Sequence, residues 1–276
     1  MDWREKMERN KRKYEIIIIL SLLMGIMIGI IYGLGGKIAP WIWNGWIFVL
    51  APIAVIASIV QKIRLIIHFF QKKTVKKSVA LFFITLLYAY PITVLFGCSV
   101  LTYPTLKSEE EGIQAVCPVK DAICLGGKHY KTHASWPSEC YAYDLVKEPY
   151  DHGSKELGDY GIYLNEVVAP IEGVIVDMKE DEENIEPNSE EFISQSGNYV
   201  VIYSEKTDSY VLLVHLEKNS VEVNVGDLVY PNQVIAKVGN SGTTSEPHLH
   251  IQHQKNNPID SKIVVCSEAL PIYFEE

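Results

Sequence analysis

The segment Gly239–His253 reads Gly-Asn-Ser-Gly-Thr-Thr-Ser-Glu-Pro-His-Leu-His-Ile-Gln-His, a turn-rich run that hands over to an alternating one. In a strand, successive side chains point to opposite faces, so His248 and His250 share one face and Leu249 and Ile251 the other. The two imidazoles then stand about 6–7 Å apart and aim into the same space. That suits one metal ligand beside one catalytic group. It also suits a half-exposed edge strand with two solvated histidines, and the stretch alone admits both. Asp144 is a carboxylate of the same ambiguity. In Tyr141-Ala142-Tyr143-Asp144-Leu145-Val146 it takes the strand face opposite Tyr143 and Leu145. Buried, it needs a partner or a metal; exposed, it needs neither.

What positions these residues follows first from charge. The formal net charge of −9 divides unevenly along the chain. Residues 1–13 carry six Lys/Arg and residues 61–77 six more, whereas from residue 102 onward 30 acidic residues face 12 basic ones. The basic residues flank apolar runs, which points to a membrane and not to nucleic acid. The acidic part would repel a phosphate backbone. Three uncharged runs, Ile16–Gly36 (21 residues), Ile38–Val60 (23) and Ser78–Leu101 (24), follow one another. Each is long enough to cross the bilayer as a helix of about 20 residues. The basic tail 1–15 and loop 61–77 are expected in the cytoplasm, so three crossings carry everything after about residue 102 outside.

Residues 102–127 read as a linker with a small folded or stapled piece. The rest reads as short strands separated by turns: Val167–Asp177 with a tight bend, then Tyr199–Tyr203, Tyr210–Leu216, Ser220–Val225, Val229–Pro231 and Val234–Val238. Such a pattern predicts an all-β, antiparallel barrel or sandwich. Lys147–Leu164 is a polar insert, and 179–196, with seven acidic residues, reads as a solvated loop.

Ordered along this part stand Val168-Ala169-Pro170, Gly173-Val174-Ile175, Gly197-Asn198-Tyr199-Val200-Val201-Ile202 and Val214-His215-Leu216. Val225-Gly226-Asp227-Leu228-Val229, Gln233-Val234-Ile235-Ala236-Lys237-Val238-Gly239 and Pro247-His248-Leu249-His250 follow. Together they resemble the lysostaphin-type (LytM-type) zinc endopeptidases, which cut peptide bridges of bacterial peptidoglycan. The resemblance covers about residues 128–254 and implies a domain spanning 128–276. It implies zinc held by His133, Asp144 and His250, with His215 and His248 acting on water and the transition state, their roles undivided. In many members the Asp follows the first His by four residues. Here His133 and Asp144 are eleven apart, so His129 competes for the first position. The implied protein is a multi-pass bacterial membrane protein whose outer domain hydrolyses peptidoglycan peptides.

Two other readings use the same residues. A non-catalytic scaffold would keep the fold and bind cell wall or a wall hydrolase, although here all five family positions hold His or Asp. A carrier module shares the Gly-Asp-x-Val turn, but no carrier lysine appears. The remaining histidines read blandly: His68 as interfacial, His152 as solvated and His253 as facing away from His250. Trp136 suits a core or surface position better than a substrate platform. Cys117, Cys124, Cys140 and Cys266 allow three pairings, of which Cys117–Cys124 with Cys140–Cys266 is the one to map first; no C-x-x-C pair suggests a zinc finger.

Overall fold

The computed structural model describes residues 3–97, 100–104, 111–126, 133–189, 191–259 and 266–275. The chain divides into two compact units, Met1–Pro104 and Thr105–Glu276.

The first unit is helical. Helix α1 (Trp3–Gly29) continues through a π-helical turn at Ile30–Leu34, and α2 (Ala39–Gly45) passes through another at Trp46–Leu50 into α3 (Ala51–Phe70). Helix α4 (Lys76–Ala89) ends in a 3-10 turn, Tyr90–Phe96. Three continuous stretches are long and apolar enough to cross a membrane: Tyr14–Leu34, Ala39–Phe70 and Lys76–Phe96, with mean hydropathies of 2.7, 2.0 and 2.2. Their outward residues, such as Leu22 (62% exposed) and Ile56 (66%), are large and apolar. A surface of that kind is compatible with a hydrocarbon surrounding. Between the helices, Trp46 Nε1–H donates to the Tyr88 carbonyl (3.0 Å) and the Tyr88 hydroxyl donates to the Leu20 carbonyl (2.8 Å). The expected loop 61–77 is mostly helix. Ile63, Leu65, Ile66 and Ile67 keep the apolar pattern going past Lys62 and Arg64, so the helix runs 32 residues to Phe70.

The second unit is all β, with no α-helix among its described residues. Its strands are β1 (Ile113–Ala115), β2 (Ile123–Gly126), β3 (Tyr143–Val146), β4 (Glu166–Val168), β5 (Gly173–Lys179), β6 (Asn198–Ser204), β7 (Ser209–Leu216), β8 (Leu228–Val229), β9 (Val234–Lys237), β10 (Leu249–Gln254), β11 (Ala269–Leu270) and β12 (Ile272–Phe274). The main sheet runs β2-β3-β10-β7-β6-β5-β8, with β11 also on β10; β4 pairs β9, and β1 pairs β12. Every pairing is antiparallel except β1 with β12. One face of the main sheet closes the large core, through Leu145, Val200, Ile202, Val211, Leu213, Leu249 and Ile251. The other carries Val201, Leu212 and Val214 and, beside them, the polar residues described below.

Three expectations for this unit differ from the structure. The stretch 102–127 read as a linker contains β1 and β2, which pair with β12 and β3. Such short edge strands draw their order from distant partners and have too few residues to show a period. Ser220–Val225 is not a strand; it runs extended between turns, and its Glu222 N–H bonds the Ile235 carbonyl singly (2.9 Å). The acidic run 179–196 is pinned, not merely solvated. Glu182 is buried and accepts from Lys179 Nζ (2.5 Å), Ser194 Oγ–H (2.6 Å) and Ser194 N–H (3.1 Å). Cys117 and Cys124 are thiols with sulfurs 4.0 Å apart, and Cys140 is a buried thiol against the Pro137 carbonyl.

His253 lies on the core side of β10, away from His250. Its Nδ1 is 2.9 Å from the Pro271 carbonyl and its Nε2 is 2.7 Å from Ser209 Oγ, so it ties β10 to the start of β7 and to the approach to β12. Burial pulls its pKa down to about 4, with Lys255 acting the same way and the Pro271 bond opposing. The unfolded chain protonates this histidine near 6.5, before the native state does. Stability is therefore full above pH 6.5 and declines as pH falls toward 4, by about 3 kcal/mol for this residue. Urea unfolding of the detergent-solubilised chain, followed by hydrogen–deuterium exchange of the β10 amides, reads this directly. His253→Gln should flatten the decline between pH 6.5 and 4; an unchanged slope would refute the assignment.

Candidate metal centre

Strand β10 lies between β3 and β7, and the register sets His250 opposite Asp144 on one side and Val214 on the other. Cross-strand partners share a face, so Asp144 and His250 emerge together on the face away from the large core. Leu249, Leu145 and Ile251 fill that core, which holds both strands in this register.

His250 Nδ1 lies 2.9 Å from Asp144 Oδ1, and His133 Nε2 lies 3.2 Å from Asp144 Oδ2. His133 sits in the turn before β3, where its carbonyl accepts the Trp136 N–H (2.9 Å). One ligating atom from each of His133, Asp144 and His250 falls within 4.8 Å of the others. All three side chains are at most 15% exposed. Burial opposes the charge on Asp144, but His248, His133 and His250 outweigh it and hold the carboxyl far below the usual carboxylate range. Burial likewise opposes a charge on His250, and the bond to Asp144 overrides it, raising the pKa to about 9. Two imidazole nitrogens and a carboxylate oxygen, converging in a buried site, form a donor set that suits a divalent metal such as zinc and leaves a fourth position open. His129, the competitor for the first position, lies outside the described residues.

Two more imidazoles border this cluster. The His248 Nε2 is 3.5 Å from Asp144 Oδ1, while its Nδ1 is 2.8 Å from the Glu246 carbonyl and 3.2 Å from Thr244 Oγ1. The His215 ring centroid is 4.8 Å from that of His248 and 6.2 Å from that of His250. Its Nδ1 donates to the Ser241 carbonyl (2.8 Å), which leaves Nε2 with a lone pair. Burial, helped by nearby His248 and His250, pulls His215 well below 6.5, so it is a neutral imidazole.

His215 reaches this face through a bulge. Leu213 and Leu216 both enter the large core although their spacing is odd, and Asn198 pairs with Leu216 while the next residue, Tyr199, pairs with Val214. His215 is the inserted residue, at φ +67°. Simple alternation would have sent it into the core with Leu213; a bulge re-aims it. Such a backbone costs about 1–3 kcal/mol and persists only where surroundings hold it. Ser241 is that surrounding. Its hydroxyl donates to the Leu216 carbonyl (2.8 Å) and accepts the Asn198 N–H (2.9 Å). Gly197 (φ +63°) and Gly242 (φ +81°) let the two backbones meet, since a Cβ on either would collide with Ser241 or Gly197.

All five residues named from the sequence thus come together. Sequence reasoning missed the groups that orient them: the Ser241 and Glu246 carbonyls, Thr244, and Gln252, whose Oε1 lies 3.0 Å from His250 Nε2. Carbonyl acceptors leave no trace in residue type. Gln252 did leave one, standing two residues past His250 on the same strand face. Trp136 is half-buried beside His133, and His152 is exposed, as expected, with its ring stacked on Tyr160 at a centroid distance of 4.4 Å.

Comparison with known proteins bears on the same region. The family model described as Peptidase family M23 matches residues 160–261, which include His215, His248 and His250 but not His133 or Asp144. No curated protein matches the chain. Among solved structures, the catalytic domain of lysostaphin from Staphylococcus simulans is similar at 19% identity, covering 55% of this chain and 88% of that one, with a TM-score of 0.34. A structure of LytU is similar at 16% identity, 62% and 88% coverage and a TM-score of 0.32. The SpoIIQ-SpoIIIAH pore forming complex is similar at 19% identity, 56% and 87% coverage and a TM-score of 0.35. The chain spans 37% of full lysostaphin and 33% of a zinc containing peptidase from Vibrio cholerae.

Proposed function

We propose that this chain, whose residues 160–261 match the model of Peptidase family M23, is a membrane-anchored zinc endopeptidase acting on peptidoglycan peptides outside the cell. The observation that carries the proposal is the convergence of His133, Asp144 and His250 on one point, bordered by His215 and His248. His133 Nε2, His250 Nδ1 and an Asp144 oxygen would hold the metal. Zinc bound there lowers the pKa of a water toward neutrality and polarises the scissile carbonyl.

The chain's own residues supply the proton traffic. His215 is neutral and its Nδ1–H is committed to Ser241, so Nε2 takes a proton from the attacking water and returns it to the departing amine. His248 commits Nδ1–H to the Glu246 carbonyl and keeps Nε2 beside Asp144. From there an N–H on that nitrogen would donate toward the oxyanion that develops on the scissile carbonyl. The three apolar helices would hold the unit at the bilayer. The basic residues of 1–13 and 61–77 favour a cytoplasmic N-terminus and an outer second unit.

The test uses the full chain in detergent with purified, cross-linked peptidoglycan. New amino termini should appear, vanish on chelation and return with zinc. Binding to peptidoglycan without any new termini, in zinc-loaded protein, would replace this reading with that of a scaffold.

A further inference from the structure

We propose that Gln252 is a positioning residue, whose side-chain carbonyl takes the Nε2–H of His250 and so presents the Nδ1 lone pair of that imidazole to the metal. The inference rests on the metal-centre reading above and adds a determinant of affinity to it. A neutral imidazole carries one N–H and one lone pair, and the partner of one nitrogen decides the state of the other. His250 turns Nδ1 toward Asp144 (2.9 Å) and Nε2 toward Gln252 Oε1 (3.0 Å). An acceptor at Nε2 keeps the hydrogen there. A donor at the same place, such as the amide NH2 of a turned Gln252, would drive the hydrogen to Nδ1, where it would compete with the metal.

The placement of Gln252 is over-determined by the strand. It is i+2 from His250 on β10, so it shares that face, and its backbone pairs with Leu212 of β7. Both side chains are buried, Gln252 at 4% exposure and His250 at 7%, beside the apolar Leu212 and Val214. An amide in such surroundings is costly without a partner, and His250 is the partner it has been given. Residues that orient a ligand imidazole in this way typically account for about 10- to 100-fold in metal affinity.

Metal affinity of the full chain in detergent, measured by chelator competition with zinc and by the d–d absorption of cobalt(II), tests the assignment without any catalytic readout. Gln252→Met keeps the volume and removes the acceptor, and should raise the Kd about 10- to 100-fold. Gln252→Glu keeps an acceptor and should bind at least as tightly as the wild type. A Met variant that binds like wild type overturns the proposal. Should the Met variant fail to fold, by circular dichroism, the Glu variant decides: weaker binding than wild type overturns the proposal. A wild type that binds neither ion is a different failure, since it removes the metal centre itself and the proposal with it.

Discussion

Asp144→Asn is expected to empty the metal centre and to lower the rate of peptidoglycan cleavage by about 10³-fold or more. The substitution is nearly isosteric, so the pairing of β3 with β10 and the core contacts of Leu145 and Leu249 stay as they are. What changes is charge and hydrogen-bond sense. Asp144 has an imidazole nitrogen beside each oxygen, His133 Nε2 (3.2 Å) and His250 Nδ1 (2.9 Å), and its pKa is held far below the usual carboxylate range. It is therefore an anion at every working pH. Asparagine removes that anion and turns an NH2 group toward one of the two imidazoles, where two donors and a cation cannot share the space. Metal content per chain and initial cleavage rate, measured on the same preparation, check this. A variant that keeps one equivalent of metal, or cleaves within tenfold of wild type, would falsify the metal-ligand role.

His215→Ala makes the opposite separation: metal retained, turnover lost. The side chain stands outside the three-residue cluster, with its ring 6.2 Å from His250 and its Nδ1–H committed to Ser241. Removing it takes away a positioned base, which typically costs about 10²–10⁴-fold in rate, and leaves His133, Asp144 and His250 in place. Because His215 is held well below 6.5, it stays unprotonated at neutral pH, and the wild-type rate should not fall between pH 8 and 7 on its account. Loss of metal along with activity would instead make His215 a ligand. Unchanged activity would hand proton transfer to His248 alone. Alanine at this position also relieves no strain, since φ +67° is as unfavourable for alanine as for histidine.

The two substitutions separate because the site has two parts with different structural origins. Asp144 and His250 are regular strand residues set opposite each other by register. His215 is a bulge residue held by Ser241 and by glycines at positive φ. The first part follows from alternation; the second does not.

The same contrast divides what was legible in the chain. Three uncharged stretches of more than 20 residues announce three helices, because the cost of burying backbone and charge in hydrocarbon leaves few alternatives. Leu249 and Ile251 alternating with His248 and His250 announce a strand with a polar face, and Tyr143-Asp144-Leu145 announces another. Residue type and period carry that information locally. The linker reading failed where strands were three or four residues long, and the span reading stopped short where Lys62 and Arg64 interrupt an apolar helix that nonetheless continues.

Sequence by itself therefore determined the class of each unit, and the five histidine and aspartate side chains were recognisable through their resemblance to a family of zinc endopeptidases. Only the tertiary structure decided that Asp144 meets His250 across 106 residues of chain. It also decided that His215 turns out of the core at a bulge, and that Ser241, Glu246 and Gln252 each stand against one ring nitrogen, of His215, His248 and His250 respectively. The physical reason is that register and bulges are set by the packing of distant strands onto one core, and that backbone carbonyls, identical in every residue, become specific acceptors only when a fold brings them to a particular imidazole.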